Sequence, residues 1–431
     1  PGGTNRAGTV PPVPRGFRGS GTADVRQVLT VRIGLPYFSW LLALPLRAYL
    51  GRLAPRQRPP WWLPPDTISR RQATLLATLC GLSVVVGYLS GLLPEVMTYV
   101  AREYHISRAG QGVDLGVVSL SSVAALPLLV MADRRGRRRL VLWCTAIGAV
   151  VSAGGALAGS ASSLTALQVL AQALLSAQFV LVGVMVVEEM PVHSRALGLG
   201  AAGMCFGLGG GAALAVLPLA GTGVGGWRWI FALGLLGLPI AWSTARRLPE
   251  TARFARRAAS GRPPESLRMS PGARRVLLLL GAGALLLAVF DAPGGQFQNE
   301  LLRTERHLSP VGISILEQTA GTLGGVGTLV GARLAESWGR RRVAAAGVAL
   351  ETVLTLASYF DHGVLLWATT AAGSFAAYAV APAWGVYGGE LFSTGLRSRA
   401  GGLLTVASAV GGLVGLVAVG ALSSPLGGLG P

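Results

Sequence analysis

Two carboxylates, Glu317 and Glu351, stand inside long apolar stretches of the chain. An acid in such surroundings is costly to ionise, so its default reading is a functional one, a proton carrier or a residue on an ion path. Asp291 lies near the end of another apolar stretch, where it reads as a solvated group. A second kind of chemistry is written in Asp133-Arg-Arg-Gly-Arg-Arg-Arg139 and in Glu336-Ser-Trp-Gly-Arg-Arg-Arg342. An acid at one helix end, a glycine turn and an arginine cluster make a charged clasp, because carboxylates accept bidentate bonds from guanidinium forks.

Other chemistries are excluded by residue type. All 37 basic residues are arginine, so the lysine of a phosphate-binding loop or a Schiff base is missing. His105, His193, His307 and His362 have no ligand spacing, and no H-E-x-x-H or Ser-His-Asp order is present. Cys80, Cys144 and Cys205 fall in apolar runs without C-x-x-C spacing and read as small buried hydrophobes. Neither an enzyme, nor a cofactor, nor a metal is expected.

The elements that hold these residues belong in a bilayer. The 431 residues are 51% hydrophobic and 13% charged, with a mean hydropathy of +0.55, against about 25% charged in a soluble domain. Disordered chains are apolar-poor, so disorder is excluded as the main state. From Ala73 onward, apolar runs of spanning length recur at about 73 to 94, 115 to 132, 140 to 158, 164 to 187, 197 to 217, 229 to 245, 274 to 293, 311 to 332, 343 to 360, 363 to 388 and 400 to 422. The fold class is therefore all-α and polytopic. The glycines in these runs, such as Gly207 to Gly211 and Gly321 to Gly331, read as helix packing and not as nucleotide loops.

Residues 1–71 form a basic, Pro- and Arg-rich extension with 11 arginines against Asp24 and Asp66, and Ile33 to Leu50 within it reads as an interfacial helix on an anionic membrane or as part of a plain basic tail. If the loop at 133–139 is cytoplasmic, Arg102, Arg108, Arg228, Arg303 and Arg306 lie outside and the other 21 arginines beyond residue 71 lie inside. That bias puts the N-terminus in the cytoplasm of a multi-pass protein of the cell membrane. The net charge of +19 and pI of 11.4 follow from topology and imply no nucleic-acid partner.

An internal repeat organises the spans. Asp133 and Gly136 recur as Glu336 and Gly339, offset by 203 residues, and Glu188 and Arg195 recur as Glu390 and Arg397, offset by 202. Two parallel six-helix halves are implied: 72–247 and, after a cytoplasmic linker at 248–273, residues 274–431. With Met131 to Arg138, Leu334 to Arg342, Gly226-Trp-Arg-Trp-Ile-Phe231, Pro249-Glu-Thr-Ala-Arg-Phe254 and Glu390-Leu-Phe-Ser-Thr-Gly-Leu-Arg397 in order, the chain from Ala73 onward resembles the major facilitator superfamily. The last two motifs are similar to those of its sugar porter branch. On that resemblance the second half has five spans, and the sequence is expected to be a fragment lacking a twelfth.

The resemblance implies alternating access with charged clasps on the inner face. It carries that role to Asp133, Arg134, Gly136, Arg137, Glu188, Arg195, Glu336, Gly339, Arg340, Glu390 and Arg397. Arg138 and Arg139 read as plain positive-inside anchors. Substrate-site candidates are Tyr88, Gln296, Gln298, Asn299, Trp384 and Tyr387, with Tyr378 beside them, and Glu317 is the proton-coupling candidate, since the family places span 9 at the periphery. Leu89 follows Gly87-Tyr88 where proton-coupled sugar porters carry an acid. The expected activity is secondary active or facilitative transport of a sugar or organic acid, with protons as the candidate coupling ion and a monomer as the working unit. The alternatives are a multidrug/proton exporter, disfavoured by Leu208 after Gly207 in place of proline, and a solute sensor that has lost transport.

Overall fold

The computed structural model describes residues 68–191, 194–249, 271–390, 397–423, 425 and 428–429. The expected interfacial helix in the extension and nearly all of the linker lie outside these residues. Every described regular element is helical, as the apolar runs dictate. Ten helices are long and apolar enough to cross a membrane, and Pro310–Leu334 adds a further 25-residue helix over the run at 311 to 332.

We number the spans in chain order. Span 1 is Arg70–Tyr104, span 2 Arg108–Ala132, span 3 Arg137–Leu157, span 4 Ala161–Glu189, span 5 Gly198–Gly221 and span 6 Trp227–Ala245. Span 7 is Pro271–Glu305, span 8 Pro310–Leu334, span 9 Arg340–Phe360, span 10 Gly363–Glu390 and span 11 Arg397–Leu422. Span 1 runs unbroken through Pro94, and span 7 continues through Pro293 and a bend at Phe297, each ending ten or so residues beyond the end read from sequence.

The repeat is visible in backbone geometry. Gly136 and Gly339 both turn the chain between consecutive spans at φ 99° and 90°, a conformation that favours glycine. His105 and His307, 202 residues apart, close the turns after spans 1 and 7 at the same φ of 54°. Ser107 and Ser309 then accept backbone N–H bonds from Gly110 and Gly312 and cap spans 2 and 8.

Packing differs between the two ends of the bundle. One core cluster draws on both halves, joining Leu92, Val96 and Leu115 to Phe297, Leu301, Ile313, Leu316 and Leu416. It sits toward the turns at His105 and His307. At the Arg-rich end, among the described residues, each buried cluster stays inside one half: Leu79, Val141, Leu181 and Met185 in the first, Leu277 with Ala400 in the second. The halves are thus fused at the end away from the arginines. Large apolar side chains such as Trp143, Trp242 and Leu279 remain exposed on the outer wall, as lipid-facing residues must.

Candidate functional site

Because span 1 continues past Pro94, Glu95 lies within the spanning helix, a position the apolar run ending at residue 94 had excluded. The overlooked signal is Val96, Met97 and Val100, which keep the run apolar beyond the proline. The same extension in span 7 brings Gln296, Gln298 and Asn299 into the span.

Glu95 and Asn299 meet across the seam between the halves. The Asn299 amide donates to the Glu95 backbone carbonyl at 2.7 Å and to Glu95 Oε2 at 3.3 Å. Asn299 is only 4% exposed, and its Oδ1 has no hydrogen-bond partner. Glu317 of span 8 lies within electrostatic reach of Glu95. Both residues are partly buried. One turn farther along span 1, the hydroxyl of Tyr99 is buried without a partner, and Arg303 lies 5.9 Å from the Tyr99 ring centre while donating to the Leu308 carbonyl.

Further polar contacts stitch the same seam. Gln296 Nε2 donates to Ser119 Oγ at 3.2 Å, Gln318 Nε2 to the Gly211 carbonyl at 2.8 Å, and Ser314 Oγ to the Leu214 carbonyl at 2.7 Å. Tyr88 turns instead into its own half, donating to the Ile230 carbonyl at 2.7 Å. Gln298 is half-buried, and Tyr378 is 49% exposed with its ring beside Gly324 of span 8. Trp384 and Tyr387 lie on span 10, but their side chains are outside the described residues.

Asp291 is not simply solvated. It lies within electrostatic reach of Glu351 of span 9 and lines, with Gln296 and Ser408, a cavity of about 400 Å³ in the second half.

At the end away from the arginine clusters, Arg108 of span 2 reaches span 7. It pairs with Glu305 at 3.0 Å and Glu300 at 3.8 Å. Glu305 also accepts the Leu429 N–H at 2.8 Å.

At the Arg-rich end, Arg137 pairs with Glu188, so the partner of this arginine comes from its own half. Arg195 Nε lies 3.4 Å from the Met190 carbonyl. Arg138, expected as a mere anchor, donates to the Ala245 carbonyl at 2.7 Å and so satisfies the C-terminus of span 6. Gly136 and Gly339 take the turn geometry given above. The side chains of Asp133, Arg134, Glu336, Arg340, Glu390 and Arg397 lie outside the described residues.

Taken together, the spans hold Glu95, Asp114, Asp291, Glu317 and Glu351 in their interiors, whereas every arginine on them sits near a helix end. Such an interior can bind and release protons, and it presents negative charge to whatever enters.

The fold has close counterparts among solved structures. A bacterial homologue of the human lysosomal transporter Spinster, inward-facing and unoccupied, superposes with a TM-score of 0.65 at 18% identity over 83% of this chain and 84% of that one. The nucleoside transporter NupG gives 0.63 at 15% over 81% and 91%. The inward-open xylose transporter XylE from E. coli gives 0.62 at 14% over 80% and 89%. No curated protein matches the sequence. The sequence profile described as Major Facilitator Superfamily matches residues 75–297, just over half of the chain. A two-fold repeat of helices, halves fused at one end and a polar seam between them thus meet in one conclusion: the chain belongs to the Major Facilitator Superfamily, whose members carry small solutes across membranes by alternating access.

Proposed function

We propose that the chain is a secondary transporter of a small organic solute, coupled to protons that bind at Glu317 and Glu95. The single observation that carries this reading is the pair of carboxylates offered from opposite halves at one level of the seam, with Asn299 bonded to one of them. Protonation changes the repulsion between two halves that must part and rejoin, which is what coupling requires. The groups that face the pair are Asn299, Tyr99 and Tyr359, with Arg303, Arg102 and Glu305 farther toward the helix ends. Gln296 and Asn299 supply amides that suit a polar solute. The Arg137–Glu188 pair and the glycine turns serve the inner clasp, the chain works as a monomer in the cell membrane, and the N-terminus faces the cytoplasm.

The test is flux into proteoliposomes with and without a proton gradient. Glu317→Gln should abolish gradient-driven accumulation, while exchange of labelled for unlabelled solute persists when the solute is supplied at saturating concentration. Accumulation by Glu317→Gln equal to that of the unaltered protein would remove protons from Glu317. Binding of solute with no flux in any format would favour a sensor, the reading the long basic extension also invites.

A further inference from the structure

The charge distribution around the seam says more about the solute than the fold does. Glu95 and Glu317 are drawn from different halves, and among the described residues neither carboxylate pairs with an arginine; Arg303 and Arg102 act on Tyr99, one turn away. The chain has no lysine that could reach in. An anionic solute would meet two carboxylates and no counter-charge, which no gain in packing offsets in a low-dielectric seam.

The second observation concerns hydrogen bonding. Asn299 spends its amide N–H groups on Glu95, and its Oδ1 is left buried with no donor. A buried acceptor without a partner is unfavourable, so the seam is short of a donor at this point. The missing group is therefore a hydrogen-bond donor that also tolerates two acidic neighbours. A polyol supplies the donor but not the charge; a carboxylate supplies neither. A protonated amine supplies both.

We propose that the solute carried at the Glu95–Asn299–Glu317 seam is an organic ammonium ion, its N–H groups donating to Asn299 Oδ1 and to the two carboxylates. The inference rests on the transport reading above and names the class of its solute. Protons and the ammonium ion then compete for the same carboxylates, so binding of one displaces the other and the natural mode is exchange. Loading the ammonium displaces any proton that the two carboxylates hold, and reprotonation from the opposite side releases the ammonium.

The experiment uses the full chain purified in detergent and a panel of size-matched primary ammonium, polyol and carboxylate solutes, read by thermal stabilisation and then by titration. Stabilisation is expected from ammonium members alone. Their Kd should rise by up to about tenfold for each pH unit lowered, if one proton is displaced. Glu95→Gln and Glu317→Gln should each weaken ammonium binding by about tenfold to a hundredfold, the range of a charge-assisted bond. Glu317→Asp keeps the charge and serves as the rescue, retaining binding and its pH dependence even if the glutamine variant is poorly folded. Stabilisation by carboxylates or polyols, a panel in which no ammonium solute binds, or binding that ignores pH each overturns the proposal. Ammonium binding with the expected pH dependence but no gradient-driven flux would sink the transport reading and leave this one standing. Gradient-driven accumulation of a carboxylate would do the reverse.

Discussion

Glu103 and Glu305 occupy the same place in the two repeats, 202 residues apart, near the ends of spans 1 and 7. Glu103 is captured inside its own half: Arg228 pairs with it at 2.7 Å, and the Trp227 indole N–H donates to it at 2.6 Å. Glu305 reaches out of its half to Arg108, and where Trp227 serves Glu103, the N–H of Leu429, again 202 residues on, serves Glu305. One acid stiffens a half, and its twin joins the halves. The lesson is that the repeat conserves position while the partner decides the role.

The seam obeys the same logic. The counterpart of Glu95 is Phe297, fully buried, and that of Glu317 is Leu115, 1% exposed. Asp291 corresponds to Leu89, the residue that stands where proton-coupled sugar porters have their acid. Each half has placed acids where the other has core, so the chemistry arises from breaking the symmetry that builds the scaffold.

The sharpest way to break this comparison is to restore the symmetry. Leu115→Glu puts an unpaired carboxyl into a closed core and should destabilise the protein by about 3–5 kcal/mol or more; thermal unfolding in detergent measures it, and a tolerated variant would mean that the acid positions are interchangeable. Next in size is the contrast between the twin acids. Glu103→Gln removes a partly buried charge-assisted network and should cost about 2–3 kcal/mol of stability, with flux per folded molecule unchanged. Glu305→Gln should lower the melting temperature less but alter turnover several-fold, because it loosens the closed end of the seam; equal effects of the two on turnover would refute the division of roles. Gln296→Leu should cost about 1 kcal/mol through loss of the Ser119 bond, visible as a several-fold rise in KM. Smallest is Arg138→Ala, which uncaps span 6 and should cost about 0.5–1 kcal/mol in unfolding measurements with no change in flux.

Much of the scaffold is legible in the sequence because its signals are local. A glycine between an acid and an arginine cluster is needed wherever the chain turns at φ near 90°, so Gly136 and Gly339 announce the repeat by themselves. Eleven apolar runs become eleven helices for the same reason. The site is less legible because its signals are either masked or remote. Pro94 and Pro293 read as helix ends, since proline lacks a donor and the residue before it disfavours helix. In a long apolar helix the chain tolerates them, and Glu95 was hidden behind one. The Glu95–Asn299 bond joins residues 204 apart on different halves, a pairing no periodicity encodes. Likewise Arg137 finds Glu188 and Arg138 finds Ala245 through packing of spans 3, 4 and 6, which charge counting could not separate from anchoring.

The crossing of spans 2 and 11 bears on how fast the machine can run. Here Gly112 lies against the backbone of Leu416, Gly116 against the side chain and backbone of Leu413, and Gly420 against the backbone of Arg108 and Gly112, so the two helices approach closely between the halves. At the glycines themselves there is no side chain to repack, while Leu115 and Leu416 interlock beside them in the shared core. The glycines let the two helices lie at backbone distance across the seam. Adding bulk to this crossing would act as friction, slowing the stroke even where the resting states at either end of it were equally comfortable.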